Sequence, residues 1–211
     1  MCGRYYIDQE EDLAEMRQIL EEVNRRFHDT PALAALHAGE IAPSHVVPVL
    51  RPETPHPDSR IIPDLMQWGF PRYQGSGLLI NARAETAGIK PTFKSAVRTG
   101  RILVPASAFF EWEHLPQGRK GTKVKLSLSD EATFYMAGLA RFFPDVPGPL
   151  AHLQRFVILT TAANDSVAPI HDRMPLILPH RLLRRWLLDD RETDGFLQMA
   201  VDKSLQLTEI A

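Results

Sequence analysis

Cys2 is the only cysteine of the chain and directly follows Met1. Removal of Met1 is expected before so small a side chain, and it would leave a 1,2-aminothiol, an amine and a thiol on adjacent carbons. An α-amine titrates near about 7.7–8.0, so a useful fraction is neutral at neutral pH. A neutral amine condenses with an aldehyde to an imine, and the neighbouring thiol can then close a five-membered thiazolidine ring. Both nucleophiles belong to one residue, which gives the second step a high effective molarity. The same residue also reads as a small hydrophobe opening a buried strand.

Three further segments carry polar groups of the kinds such chemistry needs. Asn81-Ala82-Arg83-Ala84-Glu85-Thr86 follows an apolar strand end. An Asn there can hold a nucleophile through its amide, and Arg83 can clamp a phosphate; equally, Asn81 can be the cap of a helix. In Phe109-Phe110-Glu111-Trp112, strand alternation sets Glu111 on the face of Phe109 and Glu113. A carboxylate among rings is desolvated and suited to moving protons, whereas on a half-exposed strand it faces solvent. His171, in Ile170-His171-Asp172-Arg173-Met174-Pro175, falls in a turn, as a catalytic imidazole or a structural one. No H-E-x-x-H pattern is present, so no metal or other cofactor is expected. Trp68, Phe70 and Trp112 can stack on bases or fill the core.

The elements that must position these groups read as one domain over 1–211. The chain of 211 residues is 44% hydrophobic and 24% charged, ordinary values for a soluble fold, and no apolar run is long enough to span a membrane. The N-terminus lacks the apolar stretch of a signal peptide, and one cysteine allows no intramolecular disulfide, so a reducing cytoplasm is the expected compartment. Gln9–Phe27 reads as an amphipathic helix capped by Asp8, with Leu13, Met16, Leu20, Val23 and Phe27 on one face. The proline-rich stretch from Pro43 to Pro63 reads as a surface excursion between short strands. Strands follow at Leu65–Phe70, Leu78–Ile80, Ile102–Val104, Ala108–Trp112, Val124–Leu128, Phe134–Leu139, Phe156–Thr160 and Met174–Leu178. Lys120–Lys123 is expected at a hairpin tip, and helices at Thr92–Arg98, Arg181–Leu188 and near Thr193–Ala200, so 179–211 is expected to be helical. The implied class is α+β, with a mostly antiparallel, barrel-like β core flanked by helices.

Net charge is −2, yet residues 61–141 carry 11 Lys/Arg against 6 Asp/Glu, and residues 1–60 carry 6 against 11. A basic middle third within an acidic whole suits a phosphate-bearing partner, though a chance fluctuation gives the same pattern.

Taken in order, Met1-Cys2-Gly3-Arg4-Tyr5, Trp68-Gly69, Asn81 to Thr86, Val104-Pro105-Ala106, Phe110-Glu111-Trp112, Ala137-Gly138-Leu139, Thr160-Thr161-Ala162 and Ile170 to Pro175 resemble the SOS-response-associated peptidase family of abasic-site processing proteins. The motifs run from Cys2 to about Leu178. The resemblance implies a β-rich domain with a cleft for single-stranded DNA containing abasic sites, acting as a monomer in the cytoplasm in association with DNA. It implies that Cys2 forms a thiazolidine with the lesion's aldehyde, that Asn81 orients the Cys2 backbone and that Glu111 shuttles protons. His171 would protonate the sugar ring oxygen or assist elimination. Arg4 and Arg83 match phosphate-contacting positions, and Trp68 and Pro43 match positions lining the DNA channel. Weak lyase activity and self-release of the residue before Cys2 are also implied. Three motifs depart from the family pattern. Phe110 stands where Tyr is frequent, Ala140 where Trp is frequent, and Glu40-Ile41 where Tyr-Asn commonly precedes Ala-Pro. Two other classes fit the same residues: an amidase or peptidase whose N-terminal Cys2 attacks an amide, and a non-enzymatic single-strand-binding module.

Overall fold

A computed structural model describes residues 2–8, 14–114 and 120–210. In chain order, β1 (Arg4–Ile7), α1 (Ala14–Arg26), α2 (Pro31–Ala34), β2 (Gly39–Ile41), β3 (Val46–Pro52) and β4 (Ile61–Trp68) come first. The short strands β5 (Phe70–Pro71), β6 (Leu78–Leu79) and β7 (Asn81–Arg83) precede α3 (Ala84–Ala87) and α4 (Pro91–Thr99). Then come β8 (Arg101–Ala106), β9 (Ala108–His114), β10 (Lys120–Leu128), β11 (Phe134–Arg141) and β12 (Arg155–Ala162). The chain finishes with β13 (Arg173–Pro175), β14 (Ile177–Leu178), α5 (Leu183–Leu188), α6 (Thr193–Leu197) and β15 (Leu205–Ile210).

Two sheets carry the structure. In the larger, β12 pairs with β4, β4 with β3, β3 with β8, β8 with β11, and β11 with β12 again, so the five strands close on themselves. All these pairings are antiparallel except β12 with β4. Closure removes the unpaired edges that an open sheet would expose, and the expected barrel-like α+β core is present. The second sheet, in the order β15-β10-β9-β1-β2, lays one face on the barrel. Trp68, Tyr5, Phe109, Phe134 and Phe156 fill the shared interior.

Sequence features account for several of these elements. Met16, Ile19 and Val23 recur at helical spacing and are the buried stripe of α1; the expected start of this helix, residues 9–13, lies outside the described residues. Pro91 opens α4, where its missing N–H costs nothing. Gly69 adopts φ +112° between β4 and β5, and its N–H reaches Phe156 O at 2.7 Å. A side chain is excluded at Gly100, where a Cβ would stand 2.1 Å from Ala140 O.

Some expectations are corrected. Lys120–Lys123 is not a hairpin tip but the start of β10, irregular in register between Lys120 and Lys123; residues 115–119, between β9 and β10, lie outside the described residues. The proline-rich excursion contains a full strand, β3, with Pro48 facing Leu65 of β4; its only paired position with β8 is Leu50, so Pro48 deprives no second ladder of a donor. The C-terminal segment is not wholly helical, because β15 pairs with β10 along its length.

Candidate active site

Cys2 lies just ahead of β1. In the ladder between β1 and β9, Arg4 faces Phe110 and Tyr5 faces Phe109. Residues two apart on a strand share a face, so Tyr5, Phe109 and Glu111, with Val124 and Leu126 of β10, form the inward side of this sheet. All are buried, and Glu111 is only 5% exposed. The carboxylate is therefore among rings and away from bulk water, not on a solvent-facing strand. Cys2 is fully buried, and its Sγ donates to Arg4 O at 3.4 Å. Burial pushes the thiol pKa far up, and the nearby Glu111 carboxylate pushes it the same way.

Asn81 reaches Cys2 from the barrel. β7 runs parallel to β12, pairing Asn81 with Ile158 and Arg83 with Thr160. From there Asn81 Nδ2 donates to Cys2 O at 2.8 Å, across 79 residues of sequence. The cap reading of Asn81 is corrected: the residue before α3 is Arg83, without a side-chain cap, and Asn81 belongs to a strand. Its Oδ1 is buried and has no hydrogen-bond partner. Thr160 shares this face of the sheet by register, and its Oγ1 is likewise buried and unpartnered. Thr160 stands in a motif quoted above, but only the pairing of β7 with β12 reveals that it shares the Asn81 face.

His171 precedes β13, which pairs with the end of β12. It is 7% exposed. Its Nδ1 lies 2.9 Å from the Arg173 N–H and 2.8 Å from Asp172 Oδ1. Neutral imidazole can accept from the backbone N–H, and imidazolium can donate to the carboxylate, so each protonation state has a partner. Arg173 ties this turn to the Asn81 segment. Its two terminal nitrogens each donate to a Glu85 oxygen at 2.8 Å, and one also reaches Thr160 O at 2.7 Å. Partial burial works to raise the Glu85 pKa, but the guanidinium prevails and the net shift is downward. Glu85 and Arg173 were visible in the sequence only as motif letters; their bidentate pairing is a property of the fold.

The remaining residues singled out by sequence occupy different environments. Arg4 is partly exposed on the outer face of the β1 sheet and pairs with Glu40 at 3.2 Å. Lys123 also reaches Glu40, at 2.7 Å, and stands 4.2 Å from the Phe110 ring centre, while Lys125 stands 5.2 Å from that of Tyr6. Lys123 and Lys125 thus lie over rings on this face, and because Phe110 is itself buried, what the face offers a nucleic acid is positive charge for phosphates. The alternation Lys123-Val124-Lys125-Leu126 was the available signal for these lysines. Arg83 is exposed on the side of β7 that carries Asn81. Pro43 sits half-buried in the turn before β3, where the Ala42 N–H donates to His45 Nδ1 at 3.2 Å. Trp68 requires correction as a channel-lining residue. It is fully buried, packs edge-on to Tyr5 at 5.3 Å and donates Nε1–H to Ile80 O at 2.9 Å, so no face is open to a base. Instead it supports the strand that presents Asn81.

Cys2, Asn81 and Glu111 therefore meet from three separate strands or strand ends, and the Arg173–Glu85 pair fastens the His171 turn to the same sheet. Among the described residues, no group of three or more His, Cys, Asp and Glu side chains is arranged to hold a metal, and no helix is long and apolar enough to cross a membrane.

Similarity to known proteins agrees with this arrangement. Abasic site processing protein YedK of Escherichia coli is 30% identical over 189 residues, covering 89% of this chain and 79% of that protein. Abasic site processing protein YoaM of Bacillus subtilis is 36% identical over 120 residues, 57% of this chain and 52% of that one. The chain thus matches about half the length of the Bacillus relatives. A crystal structure of a Bacteroides thetaiotaomicron protein shares the fold with a TM-score of 0.72 at 20% identity, covering 100% of this chain and 92% of that one. One from Bordetella bronchiseptica has a TM-score of 0.70 at 19% identity, with both chains fully covered. The family described as SOS response associated peptidase matches residues 1–211, beyond the span of the individual motifs. The chain belongs to the SOS response associated peptidase family.

Proposed function

We propose that this protein captures the ring-opened aldehyde of abasic sites in single-stranded DNA, closing a thiazolidine on Cys2. The observation that carries the reading is the hydrogen bond from Asn81 to the Cys2 carbonyl with Glu111 buried alongside. It fixes an otherwise terminal residue beside an acid–base group. The names of the Escherichia coli and Bacillus subtilis relatives assign abasic-site processing to those proteins.

Once the residue before Cys2 is removed, the amine adds to the aldehyde carbon and one amine proton passes to the new hydroxyl. That hydroxyl leaves as water, taking a proton relayed by Glu111, and an imine remains. The sulfur then bonds to the imine carbon while its proton goes to nitrogen, so aldehyde and aminothiol become thiazolidine and one water. The unpartnered Asn81 Oδ1 is an acceptor suited to the amine protons. Arg4, Arg83 and the Lys123–Lys125 face would hold phosphates, and Pro43 the channel rim, with the salt dependence of such contacts. His171, with a partner for each protonation state, would serve the sugar oxygen. Weak strand cleavage through the imine and self-release of Met1 belong to the same reading, as do a monomeric, DNA-associated protein and a cytoplasmic location.

An amidase mechanism needs a ready thiolate, and burial beside Glu111 opposes one. The test is a denaturing gel with an abasic oligonucleotide, the same strand reduced beforehand to the alcohol, and an undamaged strand. A shifted band with the first alone is expected. Equal bands with the reduced strand, or an acyl-enzyme and turnover on peptides, would overturn the reading.

A further inference from the structure

The mechanism above makes no use of the buried Tyr5 phenol. Tyr5 is fully buried, and its hydroxyl has no hydrogen-bond partner. An orphaned phenol is costly unless something completes it. Its position is informative. Tyr5 lies on the inward face of β1 that Glu111 shares, one cross-strand diagonal away. The Cys2 sulfur rests against the carbonyl of Arg4, the peptide that leads into Tyr5. The ring is held edge-on by Trp68, whose indole bonds the carbonyl just before Asn81, and Asn81 returns to Cys2. Tyr5, Trp68, Asn81 and Cys2 thus form a closed circuit of contacts, and the Tyr5 hydroxyl is buried on the same inward face.

We infer that the Tyr5 hydroxyl is the hydrogen-bond donor that receives the Cys2 sulfur as it gives up its proton, a catalytic role specific to ring closure. Glu111 can accept the thiol proton, but it offers the developing thiolate only negative charge. A neutral phenol supplies the missing donor, and both burial and the neighbouring Cys2 keep Tyr5 protonated by raising its pKa. In the step itself the S–H bond breaks toward Glu111, the S–C bond forms at the imine carbon, and the proton is passed on to nitrogen. Tyr5 donates a hydrogen bond throughout and transfers nothing.

The inference rests on the aldehyde-capture reading, and one experiment separates the two. Wild type and Tyr5→Phe react with an abasic oligonucleotide, and samples are quenched over time with and without borohydride, which traps the imine but not the closed ring. Tyr5→Phe is expected to form imine at the wild-type rate and to close about tenfold more slowly, so a borohydride-dependent fraction accumulates. Because the change removes an orphaned group, the melting temperature should hold or rise; a merely structural tyrosine would leave the imine-to-ring partition unmoved, and that result overturns the inference alone. Should Tyr5→Phe fail to fold, 3-fluorotyrosine at position 5, a stronger donor of similar size, must speed closure; an unchanged rate is equally fatal. No Cys2-dependent adduct with wild type would remove the capture reading and this inference together.

Discussion

Two regions of the molecule treat buried polar groups in opposite ways. Where β8 begins, Arg101 is buried, yet its guanidinium is richly paired. It donates to Trp186 O at 2.6 Å, Val97 O at 3.0 Å, Leu187 O at 3.4 Å and Asp190 Oδ1 at 2.6 Å. One side chain thus pins α4, α5 and the turn after α5 to the barrel. Around Cys2, Tyr5 OH, Asn81 Oδ1 and Thr160 Oγ1 are buried without partners. A satisfied buried network rigidifies; an unsatisfied one marks where a substrate or intermediate supplies what is missing. The difference sets a buried structural charge apart from the candidate site without reference to motifs.

The largest expected effect breaks the comparison around Cys2. Cys2→Ala should lower borohydride-independent crosslinking by more than about 100-fold and leave the fold intact by circular dichroism; Arg101→Met should leave the crosslinking rate of the folded protein unchanged. In the other region, Arg101→Met strands several carbonyls and is expected to cost about 2–4 kcal/mol of stability, read from the denaturant midpoint. Retention of the wild-type midpoint would mean the network is ornamental. Thr160→Val sharpens the contrast: deleting an unsatisfied hydroxyl should be neutral or stabilising by up to about 1 kcal/mol, and a large loss would reveal a partner such as bound water.

The smallest effect concerns the clamp. The Glu85 pKa is lowered from its ordinary 4.5, so its contribution is complete above that value and is lost as pH falls through the lowered one. The group is partly exposed, which limits the contribution to less than about 1 kcal/mol. Glu85→Gln should therefore flatten the acid limb of stability below pH 4.5 while barely changing it at neutral pH. An unchanged acid limb would remove the clamp from the account.

Much of the fold was legible because the barrel strands are apolar runs bounded by Gly, Pro and polar turns. β3 was obscured by Pro48 and Pro52, which argue locally against a strand and are tolerated where a second ladder is nearly absent. β15 was missed because it is an edge strand whose side chains are mostly exposed, leaving little hydrophobic signal. At the site, the residue types of Cys2, Asn81, Glu111 and His171 were readable, and so were the motifs. Their convergence was not, since Asn81 meets Cys2 across most of the first barrel strands and Arg173 meets Glu85 across 88 positions. Trp68 misled for a related reason: an aromatic side chain beside a glycine reads alike on a channel wall and in a core, and only packing against Tyr5 distinguishes them.

Intact-mass spectrometry of the Met1-free protein after reaction with a single-stranded oligonucleotide bearing one abasic site tests the central claim most directly. Without borohydride, the account predicts one new species, with the mass of protein plus DNA minus one water, absent from Cys2→Ala and from the undamaged strand. A folded, Met1-free sample that gives no such species, or a Cys2→Ala protein that gives the same one, would contradict it.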